Sequence, residues 1–193
     1  MYKIIGLITL LFAHSAVLAQ TAAGQTAGTS QPTLKYTYGE LRFLDYDDNG
    51  GDGFRLNGSW DLGNNWIIVG GVTSADFNNN VDLTTFEVGG GYVWRYTPGW
   101  DIVGTARFVH SEVDTPSGSS DDSGLALSGG VRGFLAEKFE IRGSINHISV
   151  DDSDTYLELA GDYYFTPQIA AGLSLEFAGD TDLISIGARW FFR

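Results

Sequence analysis

Residues 53–62 read Gly53-Phe54-Arg55-Leu56-Asn57-Gly58-Ser59-Trp60-Asp61-Leu62. In an extended chain successive side chains point to opposite faces, so Phe54, Leu56, Gly58, Trp60 and Leu62 share one face and Arg55, Asn57, Ser59 and Asp61 the other. A helix would mix the two sets, so the stretch is a β-strand with one apolar and one polar face. The same period returns over 86–94, 100–108, 125–131, 139–145, 157–165 and 169–177. With 34–44, 66–75 and 183–192 the pattern predicts ten strands and no helix beyond residue 33, although the faces of 34–44 and 66–75 are ambiguous.

Composition narrows what such a chain can do. It has 193 residues, 24 Asp+Glu against 11 Lys+Arg, no Cys and a formal charge of −13. One domain fits that length. A strongly acidic chain is a poor partner for nucleic acid, whose phosphates are bound by clustered Lys and Arg. Without Cys, disulfide scaffolds, thiolate zinc sites and thiol nucleophiles are excluded. Residues 1–19 carry Lys3, an apolar run from Ile4 to Phe12 and an end at Val17-Leu18-Ala19 with small residues at the positions that a signal peptidase reads, the pattern of a secretory signal peptide. Residues 20–32 are small, polar and aperiodic, which predicts a flexible mature N-terminus ahead of a domain over 33–193.

The connections alternate in length. Those at 63–65, 96–99, 136–138 and 166–168 are short, whereas 45–52, 76–82, 112–123, 151–155 and 179–182 are longer and acidic. Short turns at one end and long loops at the other mark an antiparallel, up-and-down transmembrane β-barrel, here of ten strands with eight as the alternative. Trp60, Trp66, Trp94, Trp100 and Trp190 lie beside the short turns or the C-terminus, joined by Tyr163, Phe165 and Phe192; Phe43, Phe54, Phe86, Phe108 and Phe177 lie at the opposite strand ends. Two such bands are the girdles of a bilayer-spanning wall. A soluble β-sandwich, the plainer all-β alternative, would bury its aromatic residues centrally.

Charge then decides which face meets lipid. The polar faces carry Arg42, Arg55, Arg95, Arg107, Arg132, Arg142 and Arg189 together with Glu40, Asp61, Glu87, Asp101, Glu140, Glu158, Asp162 and Glu176. An Arg facing lipid at the bilayer midplane costs about 2–4 kcal/mol, so this face is the lumen. Seven guanidinium groups against eight carboxylates predict a paired network across it. Apart from Glu137 in the short turn 136–138, the remaining acids crowd the outer connections, which contain no Lys or Arg.

The C-terminal run Ser185-Ile186-Gly187-Ala188-Arg189-Trp190-Phe191-Phe192 resembles the signal by which bacterial assembly machinery recognises the last strand of an outer-membrane barrel, with Ser185, Gly187, Trp190 and Phe192 at its defining positions. One extra residue, Arg193, follows the usual terminal aromatic. From residue 33 onward the chain resembles the small porin-like outer-membrane β-barrels, OmpA-type and opacity-type. That resemblance implies export to the bacterial outer membrane, with lipid, lipopolysaccharide and the assembly machinery as partners, and a monomer. It implies no particular activity, because such barrels serve as anchors, adhesins, pores and a few enzymes.

Chemistry-bearing motifs are sparse. Asp45, Asp47, Asn49 and Asp52 surround the first outer connection, where D-x-D-x-N-G opens like a calcium loop, but Leu56 stands where such a loop places its bidentate Glu. No cofactor is expected otherwise; Ca²⁺ or Mg²⁺ at the outer connections is the candidate. His147 and Ser149 resemble the His-x-Ser pair of lipid A deacylases, with no acidic residue on the same face to orient His147. His110 with Asp114, or His147 with Asp151, imitates the rim residues of omptin proteases, although this chain's loops are too short to wall a substrate cleft. Gly89-Gly90-Gly91 lacks the Lys and helix of a nucleotide loop. The leading expectation is a structural or surface-interaction protein that is not an enzyme; a narrow passive pore comes second and a lipid A hydrolase third.

Overall fold

The computed structural model of the chain describes residues 33–46, 50–78, 80–150, 152–178 and 181–192. The putting-together of alternating segments gives ten strands: β1 (Tyr38–Tyr46), β2 (Gly51–Gly63), β3 (Trp66–Phe77), β4 (Val81–Thr97), β5 (Trp100–Thr115), β6 (Gly118–Ala136), β7 (Phe139–Val150), β8 (Asp152–Thr166), β9 (Ile169–Ala178) and β10 (Thr181–Phe191). Each pairs antiparallel with its neighbours, and β10 closes on β1 through a register running from Tyr38 opposite Phe191 to Tyr46 opposite Leu183. Over the closed wall no strand edge has unpaired backbone groups, which is the condition for crossing a membrane with strands.

The usual inside-out order of a soluble protein is inverted. Leu56, Ile68, Val88, Leu127, Ile145, Leu173 and Ile186 are exposed on the outer wall, whereas Glu40, Arg42, Arg132, Glu140, Asp162 and Arg189 are buried inside. The two ambiguous strands resolve accordingly. In β1, Leu41 and Phe43 point out and Glu40 and Arg42 in; in β3, Trp66 and Ile68 point out and Ile67 in. Trp60, Trp66, Trp94 and Trp190 are exposed beside the short turns, and Phe43, Phe54, Phe86 and Phe108 form the other band. Trp100 instead lies flat over Gly133, its cross-strand partner, where a Cβ would overlap the indole ring.

Two expectations are corrected. Most of the stretch 112–123 is not a loop: β5 and β6 stay paired up to Thr115 opposite Gly118 and meet at a two-residue turn. Its Ser, Asp and Gly residues are tolerated in the ladder because beyond the aromatic band both faces of a hairpin can be wet, and water can serve the backbone groups on the edge of β6 that β7 does not reach. Likewise 152–155 is strand, paired with β7. The acidic connections are therefore largely protruding hairpin, not slack chain. The second correction concerns the first strand, which begins at Tyr38 and not at residue 34; residues 33–37 leave the wall and turn into the lumen.

Candidate functional site

The lumen holds the candidate site, and its half toward the short turns is filled by two structures on complementary arcs of the wall. The first is ionic. Strands β7, β8, β10 and β1 aim Glu140, Arg142, Asp162, Arg189, Glu40 and Arg42 at one another. Arg189 is the hub: it reaches Glu40 at 3.0 Å, Glu140 at 3.0 Å and Asp162 at 3.3 Å. Arg42 binds Glu40 at 2.7 Å and Asp162 at 3.4 Å, and Arg142 joins the same two acids at 3.4 and 3.5 Å. From β6, Arg132 grips Glu140 with Nε at 2.7 Å and Nη2 at 2.9 Å, the bidentate fork that fixes a guanidinium in one plane. Glu140 also accepts from the Tyr164 hydroxyl. Ser185 and Gly187 of the expected assembly signal face this cluster: Ser185 Oγ lies 3.3 Å from Arg42, and the missing side chain at Gly187 leaves room for Arg42. Trp190 and Phe192 of the same run are exposed outside.

The second filler is the strap of residues 33–37, which sequence reasoning took for strand. Leu34 and Tyr36 are buried against lumen-facing Ile67 of β3 and Val93 of β4, with Val69, Val103 and Phe134 packed around them. The Tyr36 hydroxyl donates to Asp101 at 2.8 Å, and Arg132 donates from Nη1 to the Lys35 carbonyl at 2.8 Å. The Arg132 and Arg95 guanidinium groups stand 4.8 and 5.3 Å from the Tyr36 ring centroid, two cation–π contacts. Arg95 also meets Asp101 at 3.1 Å, but its side chain is 43% exposed at the mouth.

Above these fillers the lumen is looser. Arg55 pairs with Glu176 at 2.5 Å and Arg107 with Glu87 at 3.3 Å, while Glu158 lines a cavity of about 310 Å³ between the two levels. Of the charged positions expected inside, Asp61 does not join: it is exposed and accepts from the Gly63 amide at 2.8 Å, capping the β2–β3 turn in which Gly63, Asn64 and Asn65 all have positive φ.

The other candidates stay apart. His147 meets Thr155 at 2.9 Å and Ser149 meets Ser153 at 3.5 Å, both pairs on the exposed outer face. Each of the two thus bonds to its cross-strand neighbour on β8 instead of to the other, and Ser149 has no base beside it in this arrangement. Purified protein should release no acyl chains from lipopolysaccharide, and Ser149→Ala should leave that baseline unchanged; release that vanished in the variant would reinstate the pair. His110 bonds Ser123 at 2.9 Å, and Asp114 lies four residues along the strand, about 14 Å away. Asp45 and Asp52 face each other across β1 and β2, whereas Asp47, Asn49, Asp151, Arg193 and the expected leader and linker over 1–32 lie outside the described residues. Among the described residues no group of three or more His, Asp or Glu side chains is arranged to hold a metal ion.

A closed antiparallel barrel with an apolar exterior, two aromatic bands and an ionic interior defines an outer-membrane β-barrel protein. Comparison agrees: the family described as outer membrane protein beta-barrel domain matches residues 7–177, and the chain belongs to it. Its place is the bacterial outer membrane. Among solved structures, the NanC porin is similar with a TM-score of 0.53 at 12% identity, over 80% of this chain and 100% of that one. The KdgM porin gives 0.49 at 11% identity over 81% and 99% of the two chains. Ail, the attachment invasion locus protein of Yersinia pestis, gives 0.40 at 15% identity over 81% and 99%. At 12% identity the likeness to the NanC porin is one of fold. No curated protein matches the chain.

Proposed function

We propose that the protein is a structural, surface-presenting outer-membrane barrel whose lumen does not conduct in its resting state. The observation that carries this reading is the filling of the periplasmic half: the ionic cluster occupies the arc β7–β8–β10–β1 and the strap occupies the arc β3–β6, and the two meet at Arg132. Small barrels are ordinarily filled by side chains and large ones leave a channel; ten strands with this load sit at the closed end. Swelling of proteoliposomes in arabinose tests it. The rate should match protein-free vesicles, and faster swelling would favour the passive pore for which the cavity above the cluster argues.

What the barrel presents outside is negative charge in register. Asp45 stands opposite Asp52, Asp52 opposite Asp76, Asp76 opposite Asp82 and Asp82 opposite Asp114, all exposed, in a row across five strands beyond the outer phenylalanine band. Like charges directly opposite in a sheet repel. Divalent cations shared with lipopolysaccharide phosphates relieve that repulsion at the headgroup level and make the row a contact with the outer leaflet. Mg²⁺ should raise the thermal midpoint more than NaCl at matched ionic strength, and Asp52→Asn with Asp82→Asn should shrink the difference. Equal midpoints in the two salts would reduce the effect to screening.

A further inference from the structure

We propose that residues 33–36 form a hinged latch whose release opens the lumen to small solutes from the periplasmic end; this rests on the barrel being closed at rest. The latch stands between two voids. Tyr36 forms part of the wall of the 310 Å³ lumen cavity, together with Ile67, Val69 and Val103, whereas Thr33, Leu34 and Asp101 line a second space of about 400 Å³ against the β4–β5 turn at the barrel mouth. The strap is thus the partition between the cavity and the mouth.

The chain changes character at Thr37. Its carbonyl accepts from the Phe192 amide at 3.0 Å and its hydroxyl from the Asp61 amide at 3.1 Å, so this residue is tied to the wall at the point where β1 starts. Residues 33–36 belong to no strand; what holds them is the Tyr36–Asp101 bond, the Arg132 bond to the Lys35 carbonyl, an exposed bond from Lys35 Nζ to the Pro167 carbonyl at 2.9 Å, and burial of two side chains. A segment with a fixed end and few bonds beyond it can swing without disturbing a strand ladder. Asp101 and Arg132 keep their Arg95 and Glu140 partners when it leaves, so release strands no buried charge. On the arc covered by the strap the lumen-facing side chains Ile67, Val69, Val93 and Val103 are apolar, while the opposite arc is ionic; an apolar wall inside a polar lumen is accounted for by the side chains that cover it.

The test uses the whole chain, with Leu34→Ser and Tyr36→Ser introduced together and folding verified by heat-modifiable gel migration. Proteoliposomes of the folded variant should swell in arabinose at least several-fold faster than those of the wild type. A folded variant that swells no faster overturns the latch and leaves the closed barrel standing. A wild type that already swells, with the variant several-fold faster, sinks the closed resting state but keeps the latch; equal fast swelling sinks both. Should the double variant not fold, Tyr36→Phe removes only the hydroxyl bond to Asp101. Because the chain contains no Cys, Val93→Cys then reports the latch directly. Val93 is 1% exposed beneath the strap, and its modification by a charged thiol reagent should accelerate several-fold in the Tyr36→Phe background. An unchanged rate overturns the proposal.

Discussion

Glu140→Ala should destabilise the barrel by about 3–5 kcal/mol, the cost of leaving buried partner charges uncompensated. Glu140 is fully buried and accepts from Arg132, Arg189 and Tyr164. Arg189 retains Glu40 and Asp162, so the sharper loss falls on Arg132, for which Glu140 is the carboxylate partner. Reversible urea unfolding in lipid or detergent reads the change. Arg107→Ala should cost clearly less, since the Arg107 and Glu87 side chains are 16% and 22% exposed and water can solvate the acid left behind. Equal small losses at both positions would mean a lumen wet throughout, which the ionic cluster is arranged to prevent.

Leu127→Arg should cost about 2–4 kcal/mol, the penalty for a guanidinium on the lipid side near mid-bilayer. Leu127 is 54% exposed on the outer wall opposite Ala106, between the level of Trp100 and that of Phe108. Ser128→Arg, one residue on and facing the lumen, tests crowding instead: the Ser128 hydroxyl meets Thr105 at 2.7 Å beside the cavity. The contrast belongs to lipid. In a soluble protein the Leu127 substitution would be neutral or improve solubility, so a loss found in bilayers establishes that this face meets hydrocarbon.

The wall of the barrel was legible in the sequence because the pleat imposes period two on every strand. A residue's parity therefore assigns its face before any contact is known. Arg55, Arg107, Arg132 and Arg142 could be placed inside on that ground alone. Parity does not give reach. That Arg189 would bind Glu40, Glu140 and Asp162, positions far apart in the chain, depends on strand stagger and on which side chains extend across the lumen, neither of which is written in local sequence. Asp61 shows the same limit, having the parity of a lumen residue but lying so near the turn that its carboxylate serves the Gly63 amide.

The strap escaped for a different reason. Leu34, Tyr36 and Tyr38 put their rings and methyls at even positions whereas Leu41 and Phe43 put theirs at odd ones, so the alternation changes face near the point where the chain leaves the sheet and reads as one strand of ambiguous faces instead of as a boundary. A signal was present elsewhere: Ile67, Val69, Val93 and Val103 put apolar side chains on lumen positions of three neighbouring strands, and such a wall calls for a cover. The outer hairpins erred in the opposite direction. Asp, Ser, Gly and Pro over 112–123 are the residues of loops, yet Glu112 opposite Asp121 and Asp114 opposite Ser119 remain in register, because backbone pairing outweighs weak local preference once flanking strands have set the register.

Single-channel recording of the unmodified, refolded protein in planar bilayers tests the closed lumen most directly. With insertion verified by the heat-modifiable band, the ionic cluster and the strap together should hold the membrane at its protein-free leak, without stepwise openings. Regular, long-lived conductance steps from the wild-type chain would show an open path through the arc that Leu34 and Tyr36 cover or through the cluster around Arg189, and would contradict the account.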